Sequence, residues 1–241
     1  MNRFHTLIAA AGRGSRAGLP YPKTLYPVQG KPILIRIAEL LEPYDPLPTV
    51  VVSPDGEPLI AECLARHGRS AHLVVQSEPR GMGDAVLCFQ GSPVYPQAEH
   101  VLLVWGDIPF IQPDTVAAVV QGHLSSGNDL TLATRRVESA YTVVARDAAG
   151  NVEDVLETRE MEAGTPRPGE RDIGLFAFRT RTVMDALAQD IPHRFGRVTG
   201  EHGFLYVIGH LVRMGMKVEA LPVATGLDLV SLNALEDLKG Y

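Results

Sequence analysis

The sequence predicts an α/β fold in which a mixed, mostly parallel sheet lies between layers of helices. Short apolar runs rich in β-branched residues alternate with stretches of helical apolar spacing, and glycine and proline mark their boundaries. The chain has 241 residues, 45% of them hydrophobic, which is enough for one large core. We therefore expect a single domain over residues 1–241, with residues 1–128 and 129–241 as its two halves.

The first half is predicted to alternate strands with helices. The strands are residues 7–11, 48–54, 72–76 and 101–105, and the helices are residues 33–41, 58–67 and 83–90. Parallel sheets of this kind bind ligands at the carboxyl ends of their strands. A glycine-rich loop follows the first strand and Asp107 follows the fourth, so we expect both at one edge of the sheet.

From residue 129 onward the pattern changes. Residues 130–134, 141–146 and 174–178 have strand character, and the polar turn at 147–151 predicts a hairpin. Residues 160–171 are rich in Pro, Gly and Glu, which predicts a mobile excursion. The second half is therefore expected to be mixed rather than purely parallel.

Composition and charge exclude several classes of protein. The net charge of -6 argues against a broad basic surface, so nucleic acid is not an expected partner. Cys63 and Cys88 are too few for a disulfide framework and lack metal-ligand spacing, which favours reduced thiols and a cytoplasmic location. The apolar run at 6–11 is too short for a signal peptide or a membrane span, so we expect no membrane association.

The loop after the first strand has the composition of a phosphate-binding loop. Its small residues let backbone amides approach a triphosphate, and nearby side chains add positive charge. The small residues are Ala10, Ala11, Gly12 and Gly14, and the cations are Arg13, Arg16 and Lys23. A dinucleotide fingerprint is an alternative, but the acidic strand end that it requires would fall in the predicted helix 33–41. A structural turn without a ligand is another.

The order of motifs along the chain resembles the sugar-1-phosphate nucleotidyltransferases, and among them the uridylyltransferases of N-acetylglucosamine 1-phosphate. The motifs are LIAAAGRGSR at 7–16, PKTL at 22–25, GKP at 30–32, GMGDAV at 81–86, LVWGDIP at 103–109 and SLNALEDL at 231–238. The resemblance implies a Rossmann-like three-layer α/β/α nucleotidyltransferase fold. It also implies Mg²⁺-dependent transfer of a nucleoside monophosphate from UTP or dTTP to a sugar 1-phosphate, with release of pyrophosphate.

The resemblance also assigns roles to individual residues. Arg16 and Lys23 would hold the phosphates, and Asp107 with Asn233 would hold Mg²⁺, which needs only one or two protein oxygens. The base and ribose would contact Gln76, Gly81 and Met82, and the sugar would contact Glu157, Asp172 and Glu201. No general base is required, because the attacking phosphate oxygen is already ionised.

Each assignment has a structural alternative. Asp107 could cap a turn or helix, Asn233 could be a helix N-cap, and Lys23 could be a solvated loop lysine. Gln76 could be an ordinary strand-end residue, and Glu157 and Glu201 could form surface ion pairs. These alternatives stay open at the level of sequence.

The resemblance weakens at the acceptor end. Met82 stands where the family has threonine, Ala140-Tyr141-Thr142 replaces a glycine that accommodates the N-acetyl group, and Asp172 replaces a frequent asparagine. No hexapeptide repeat follows, so we expect no acetyltransferase domain.

Two other functions are therefore kept. One is a CTP-dependent cytidylyltransferase acting on a phosphoalcohol such as phosphocholine, and the other is a non-catalytic nucleotide-sugar-binding regulator. The acceptor, the choice of pyrimidine, the direction of the reaction and the oligomeric state, including a homo-oligomer, are not fixed by the sequence.

Overall fold

The computed structural model describes residues 4–12, 14, 17–160, 167–191, 193–239 and 241. Its strands are β1 (Phe4–Ala9), β2 (Pro27–Val28), β3 (Lys31–Pro32), β4 (Thr49–Val52), β5 (His72–Val75), β6 (His100–Trp105), β7 (Leu130–Ala140), β8 (Thr142–Arg146), β9 (Val152–Glu157), β10 (Arg167–Arg179) and β11 (Val218–Leu221). Its helices are α1 (Ile33–Leu41), α2 (Glu57–Arg66), α3 (Met82–Leu87), α4 (Pro113–Ser126), α5 (Thr180–Ala188) and α6 (Tyr206–Arg213).

Seven strands form the central sheet in the order β11-β7-β10-β6-β1-β4-β5. β1 is parallel to both β4 and β6, β4 is parallel to β5, and β11 is parallel to β7. β10 is antiparallel to its two neighbours, β6 and β7. Six strands therefore share one direction, which confirms the predicted mixed, mostly parallel sheet.

Helices cover both faces of this sheet. Alternate residues along β1 and β6 point to opposite faces, as the period of a strand requires. Leu7 packs with α3, α5 and α6, whereas its neighbour Ile8 packs with α1, α2 and α4. Burial on both faces explains why the strands are nearly continuous apolar runs. The predicted three-layer α/β/α architecture is confirmed.

The predicted mobile excursion at 160–171 is partly wrong. Residues 161–166 lie outside the described part of the chain, but Arg167 opens β10 and pairs with Ala140 of β7. Within this stretch, Glu170 has partners on the neighbouring strands β7 and β8. Glu170 accepts hydrogen bonds from the Thr134 hydroxyl at 2.6 Å and from the Arg146 guanidinium at 2.7 Å. Strand pairing thus outweighs a composition typical of loops.

β8 and β9 form the predicted hairpin beside the main sheet, joined by the polar turn at 147–151. The carboxylate of Asp147 accepts hydrogen bonds from the amides of Ala149 and Asn151, which closes this turn. Among the described residues, no helix is long and apolar enough to cross a membrane.

Candidate active site

A cleft with two adjoining lobes lies at the carboxyl ends of β1 and β6. The larger lobe has a volume of about 830 Å³ and the smaller about 390 Å³. Both are lined by Gly12, Lys23, Met82, Glu201 and Asn233. The cleft therefore lies where strand direction predicts a ligand site in a parallel sheet.

Lys23 and Asp107 meet where the two lobes join. The Lys23 ammonium donates a hydrogen bond to the Asp107 carboxylate and lies 3.3 Å from the carbonyl oxygen of Leu232. Their side chains are only 26% and 15% exposed. The Lys23 alkyl chain runs beside Gly12, where an added Cβ would lie 3.3 Å from Cε. Lys23 is thus not a solvated loop lysine, and Asp107 does not cap a turn.

Asn233 reaches the same place through the chain that precedes it. The Leu232 amide donates to the Asp107 carbonyl oxygen at 2.9 Å, which fixes the C-terminal segment against the end of β6. The Asn233 side-chain amide donates to Ser231 Oγ at 3.0 Å. The helix N-cap interpretation is wrong, because the 3₁₀ turn Leu235–Leu238 follows Ala234 and receives no capping bond from Asn233.

Asp107 and Asn233 fit a hard divalent cation. They offer a carboxylate and an amide oxygen, the ligands that Mg²⁺ accepts together with phosphate oxygens and water. In the part of the chain that the structure describes, no group of three or more His, Cys, Asp or Glu side chains is placed to hold a metal. A cation at this point would therefore depend on the bound phosphates for its remaining ligands.

Asp228 was not expected from the sequence, and it holds the C-terminal segment in place. Its buried carboxylate accepts four hydrogen bonds, from the Gln112 and Thr225 amides at 2.7 and 2.6 Å and from the Thr115 and Thr225 hydroxyls at 3.1 and 2.7 Å. These bonds tie the chain before Asn233 to the start of α4. Since 113 residues separate Asp228 from Thr115, no local pattern could have indicated the contact.

The smaller lobe carries the residues predicted to contact the base. Gln76 is buried at the end of β5, and its side-chain amide donates to Asp84 Oδ2 at 2.8 Å and to the Gly81 carbonyl at 3.0 Å. This network assigns the nitrogen of the amide toward Asp84 and leaves the Gln76 side-chain oxygen as an acceptor. Gln76 is therefore oriented by its neighbours rather than being an ordinary strand-end residue.

The predicted phosphate loop is described in part. Ala11, Gly12 and Gly14 line the smaller lobe, whereas Ala10 is buried and its amide donates to the Val51 carbonyl at 2.9 Å. Gly14 has φ +74°, and an added Cβ would lie 2.6 Å from the Tyr21 carbonyl oxygen. The remaining predicted members, Arg13 and Arg16, lie outside the described residues.

Two glycines of the base-side loop make a tight contact with the second half of the chain. An added Cβ at Gly81 would lie 2.4 Å from the His202 carbonyl oxygen, and one at Gly83 would lie 2.0 Å from that of Gly203. The Gly83 amide donates to the His202 carbonyl at 2.9 Å. The loop that is predicted to contact the base is thus joined by backbone to the loop that carries Glu201.

The larger lobe brings Glu157 and Asp172 together at the acceptor end. Glu157 pairs with Arg159 at 3.0 Å, so the ion-pair interpretation holds for it even though it lines the cavity. Burial raises the pKa of the Glu157 carboxyl above its usual range, and Arg159 opposes this. Glu201 also lines the cavity, and it forms no ion pair with any other described residue.

Asp172 is the most deeply buried carboxylate of this lobe after Asp228, at 3% exposure. It accepts a hydrogen bond from the Thr142 hydroxyl and another from the Gly174 amide at 3.0 Å. Burial raises the pKa of the Asp172 carboxyl above its ordinary value, and the two hydrogen bonds and the charge of Arg171 offset this only in part.

Three aromatic side chains form one wall of the larger lobe, and they were not predicted from the sequence. They are Trp105, Tyr141 and Phe204. Trp105 lies against Gly174, where an added Cβ would come within 2.7 Å of the indole ring. Trp105 could have been predicted from its position at the end of β6, directly before Gly106-Asp107, because ligands bind at the carboxyl ends of the strands of a parallel sheet. His202 also lines this lobe, and its Nε2 lies 3.1 Å from the Tyr206 hydroxyl.

Comparison with known proteins adds an independent line of support. The family model of the MobA-like NTP transferase domain matches residues 6–168. Curated relatives called bifunctional protein GlmU include those of Gloeobacter violaceus, 30% identical over 99% of this chain and 48% of the relative, and of Exiguobacterium sibiricum, 29% identical over 97% and 51%. A third, from Caldanaerobacter subterraneus subsp. tengcongensis, is 26% identical over 97% and 50%. The chain thus spans about half the length of the curated relatives it matches.

Proposed function

Because the chain belongs to the MobA-like NTP transferase family, we propose that it transfers a nucleoside monophosphate from UTP or dTTP to a sugar 1-phosphate in the presence of Mg²⁺. The products are an NDP-sugar and pyrophosphate. The similarity of nearly the whole chain to about half of each GlmU relative supports a nucleotide-sugar substrate class.

One observation carries this proposal. Lys23, Asp107 and Asn233 converge between a lobe that can hold a base and a lobe that can hold a sugar. A triphosphate that spans the junction would place its α-phosphorus beside the cation and the carboxylate. Positioning and neutralisation of charge are what phosphoryl and nucleotidyl transfer require of a protein.

In the proposed reaction an oxygen of the acceptor phosphate attacks the α-phosphorus of the NTP. The bond from that phosphorus to the bridging oxygen of the β-phosphate breaks, and pyrophosphate leaves. Lys23 would donate to the α-phosphate, and Arg16 would contact the β- and γ-phosphates. Asp107 and Asn233 would hold Mg²⁺, which when bound neutralises phosphate charge. No side chain needs to accept a proton.

The orientation of Gln76 supports the choice of pyrimidine. Its amide nitrogen is engaged by Asp84 and Gly81, so its side-chain oxygen can accept a hydrogen bond from a base. Uracil and thymine carry a donor at N3, whereas N3 of cytosine is itself an acceptor. Gly81 and Met82 would lie against the base and the ribose, and Ala11, Gly12 and Gly14 would lie along the phosphates. The Ala10 amide already donates to Val51, so Ala10 would contribute through its carbonyl.

At the other end, Glu157, Asp172 and Glu201 would accept hydrogen bonds from the acceptor. Carboxylates accept from hydroxyl groups in up to four directions in total, which suits a ligand rich in such donors. The volume of the larger lobe, about 830 Å³, is sufficient for a monosaccharide phosphate beside the nucleotide phosphates.

The proposal is tested by pyrophosphate release with Mg²⁺, screening UTP, dTTP, CTP, ATP and GTP against hexose 1-phosphates, hexosamine 1-phosphates and phosphoalcohols. We expect release with UTP or dTTP and a sugar 1-phosphate. Release only with CTP and a phosphoalcohol would replace the proposal with the cytidylyltransferase alternative. Nucleotide binding without release for any pair would favour the non-catalytic regulator.

A further inference from the structure

We propose that the acceptor is an amino-sugar 1-phosphate with a protonated amine and that Asp172 is the residue that selects this amine. Asp172 belongs to the acceptor cavity of the proposed function, on which this assignment rests. The probe of this chemistry is an amino-sugar 1-phosphate with a free amine, in contrast to an N-acetylated or a purely hydroxylated sugar.

The starting observation is that Asp172 forms no ion pair with any described residue, and that the nearby Arg171 acts on it only at longer range. No Lys, Arg or His nitrogen of the described residues lies within the 4.0 Å ion-pair distance of its carboxylate. Yet Asp172 is only 3% exposed to solvent. The neighbouring Arg171 guanidinium lies instead over the Tyr141 ring, 5.6 Å from its centroid. A buried carboxylate without an ion-pair partner destabilises the protein, so its presence in a ligand cavity requires a reason.

Asp228 shows what a structural carboxylate looks like in the same cavity. It is equally buried, but four hydrogen-bond donors surround it. Asp172 receives only two, from the Thr142 hydroxyl and the Gly174 amide. Since a carboxylate offers about four acceptor directions, two remain for a ligand at Asp172. Asp172 therefore keeps acceptor capacity that a ligand could use, whereas the acceptor directions of Asp228 are filled by the protein.

The rest of the acceptor lobe suits a cation. Trp105, Tyr141 and Phe204 line it, and aromatic rings attract cations such as ammonium groups, as the Arg171 guanidinium over the Tyr141 ring already shows. The described lining residues include six carboxylates and three Lys or Arg side chains, and two of those three already have acidic partners, Lys23 on Asp107 and Arg159 on Glu157. An ammonium group would supply the missing charge, whereas a neutral N-acetyl group would not.

The amine takes no part in making or breaking bonds. The acceptor phosphate attacks as in the proposed reaction, and Asp172 discriminates among acceptors by charge. The step balances as before, with pyrophosphate as the leaving group. What the assignment predicts is a ratio of kcat/KM values between acceptors that share the same phosphate and differ at one substituent.

The test compares glucosamine 1-phosphate, N-acetylglucosamine 1-phosphate and glucose 1-phosphate in pyrophosphate release. We expect kcat/KM for glucosamine 1-phosphate to exceed the other two by roughly tenfold or more, as a charge-assisted hydrogen bond allows. In Asp172→Asn that preference should fall by about tenfold, because the amide keeps the shape but not the charge: its oxygen can accept from the Gly174 amide and its nitrogen can donate to the Thr142 hydroxyl. Preference for a neutral acceptor in the unmodified enzyme would overturn the proposal.

Thr142→Val separates charge from structure. It removes the hydroxyl that donates to Asp172 and leaves the carboxylate in place. We expect the amine preference to persist in this variant. If Asp172→Asn and Thr142→Val both lower kcat/KM equally for all three acceptors, Asp172 is a structural residue and the proposal is wrong.

Binding of the acceptors, measured by calorimetry, distinguishes failure of the amine selectivity from failure of the proposed function. If no NTP and acceptor pair turns over, the transferase proposal fails, but glucosamine 1-phosphate should still bind more tightly than glucose 1-phosphate and lose that advantage in Asp172→Asn. Equal binding of the two would overturn the selectivity itself. A preference for phosphocholine or phosphoethanolamine over every sugar phosphate would also overturn it, since the amine would then not belong to a sugar.

Discussion

Two carboxylates at opposite ends of one cavity are held in opposite ways. Asp107, at the phosphate end, has the Lys23 ammonium against it and remains 15% exposed. Asp172, at the acceptor end, is 3% exposed and accepts hydrogen bonds only from neutral groups. Asp107 therefore has a counter-charge in the protein, whereas Asp172 has none within ion-pair distance among the described residues.

This difference follows from what each end has to do. In the proposed function a cation at the phosphate end must be ready for the triphosphate, and Lys23, which would contact the phosphates, is meanwhile neutralised by the carboxylate that would hold the metal. At the acceptor end an unpaired carboxylate remains free to interact with a ligand of opposite charge. Its burial costs stability, which is a common feature of binding sites.

The largest effect is expected at the phosphate end. Asp107→Asn should lower kcat for pyrophosphate release by roughly 10²- to 10⁴-fold, because it removes the carboxylate that is proposed to hold the metal. The control is Asp185→Asn, the same chemical change on the exposed side of α5. A loss of pyrophosphate release in Asp107→Asn with an unchanged unfolding midpoint would support the assignment. Equal rates in the two variants would remove Asp107 from the reaction.

The next effect concerns the joint between the two halves of the cleft. Gly83→Ala places a Cβ 2.0 Å from the Gly203 carbonyl oxygen, and both groups are backbone-fixed. We expect a loss of about 3 kcal/mol or more in the free energy of unfolding, measured by urea denaturation. The matched control is Gly226→Ala, where φ is -64° and an added Cβ has no neighbour within 4 Å. Similar losses in both variants would contradict this account.

How far the sequence could predict the cleft depends on what holds each residue. Gly12 and Asp107 follow strands of a parallel sheet, so their proximity to one edge could be predicted from the strand pattern. The contact between Lys23 and Asp107 spans 84 residues, and no spacing rule gives it. The hydrogen bond from Thr142 to Asp172 depends on the path of β8 alongside β10, which the sequence did not specify.

The fold shows the same division. The helix at 33–41 was predicted with its observed bounds, because its apolar face repeats with helical spacing behind Pro32. The start of β10 was predicted as a mobile excursion, because Gly169 and Glu170 are typical of loops. Glu170 is held by Thr134 and Arg146, which lie 36 and 24 residues away, and such tertiary partners override local preference.

A smaller effect would sharpen the description of the phosphate end. Lys23→Met removes the ammonium beside Asp107 and keeps an unbranched side chain. In the absence of nucleotide we expect the affinity for Mn²⁺ to rise by roughly three- to tenfold, since the carboxylate loses its competing cation. Turnover should fall at the same time. Metal affinity is measured by calorimetry on the nucleotide-free protein.

Lys31→Met is the control for this experiment, because Lys31 pairs with Glu39 at 2.6 Å away from the cleft. It should leave the affinity for Mn²⁺ unchanged. A lower or unchanged affinity in Lys23→Met would mean that Lys23 does not compete with a cation for Asp107.

The smallest effect is a pH dependence at the acceptor end. Burial raises the pKa of Asp172 in the folded protein above its ordinary value of 3.8, so the folded state holds this proton more tightly than the unfolded state does. Stability contributed by the protonated form is therefore present below pH 3.8 and is lost as the pH rises toward the raised folded pKa. Asp172→Asn stays neutral throughout, and its amide can still pair with Thr142 and Gly174.

The difference in unfolding midpoint between Asp172→Asn and the unmodified protein should therefore be near zero at the acid end and grow in favour of the variant as the pH approaches 7. Thermal unfolding in a series of buffers without ligand measures it. A constant difference across that range would mean that Asp172 is not destabilised by its charge. Addition of an amine-bearing acceptor should reduce the difference, because the ligand supplies the counter-charge that the protein withholds.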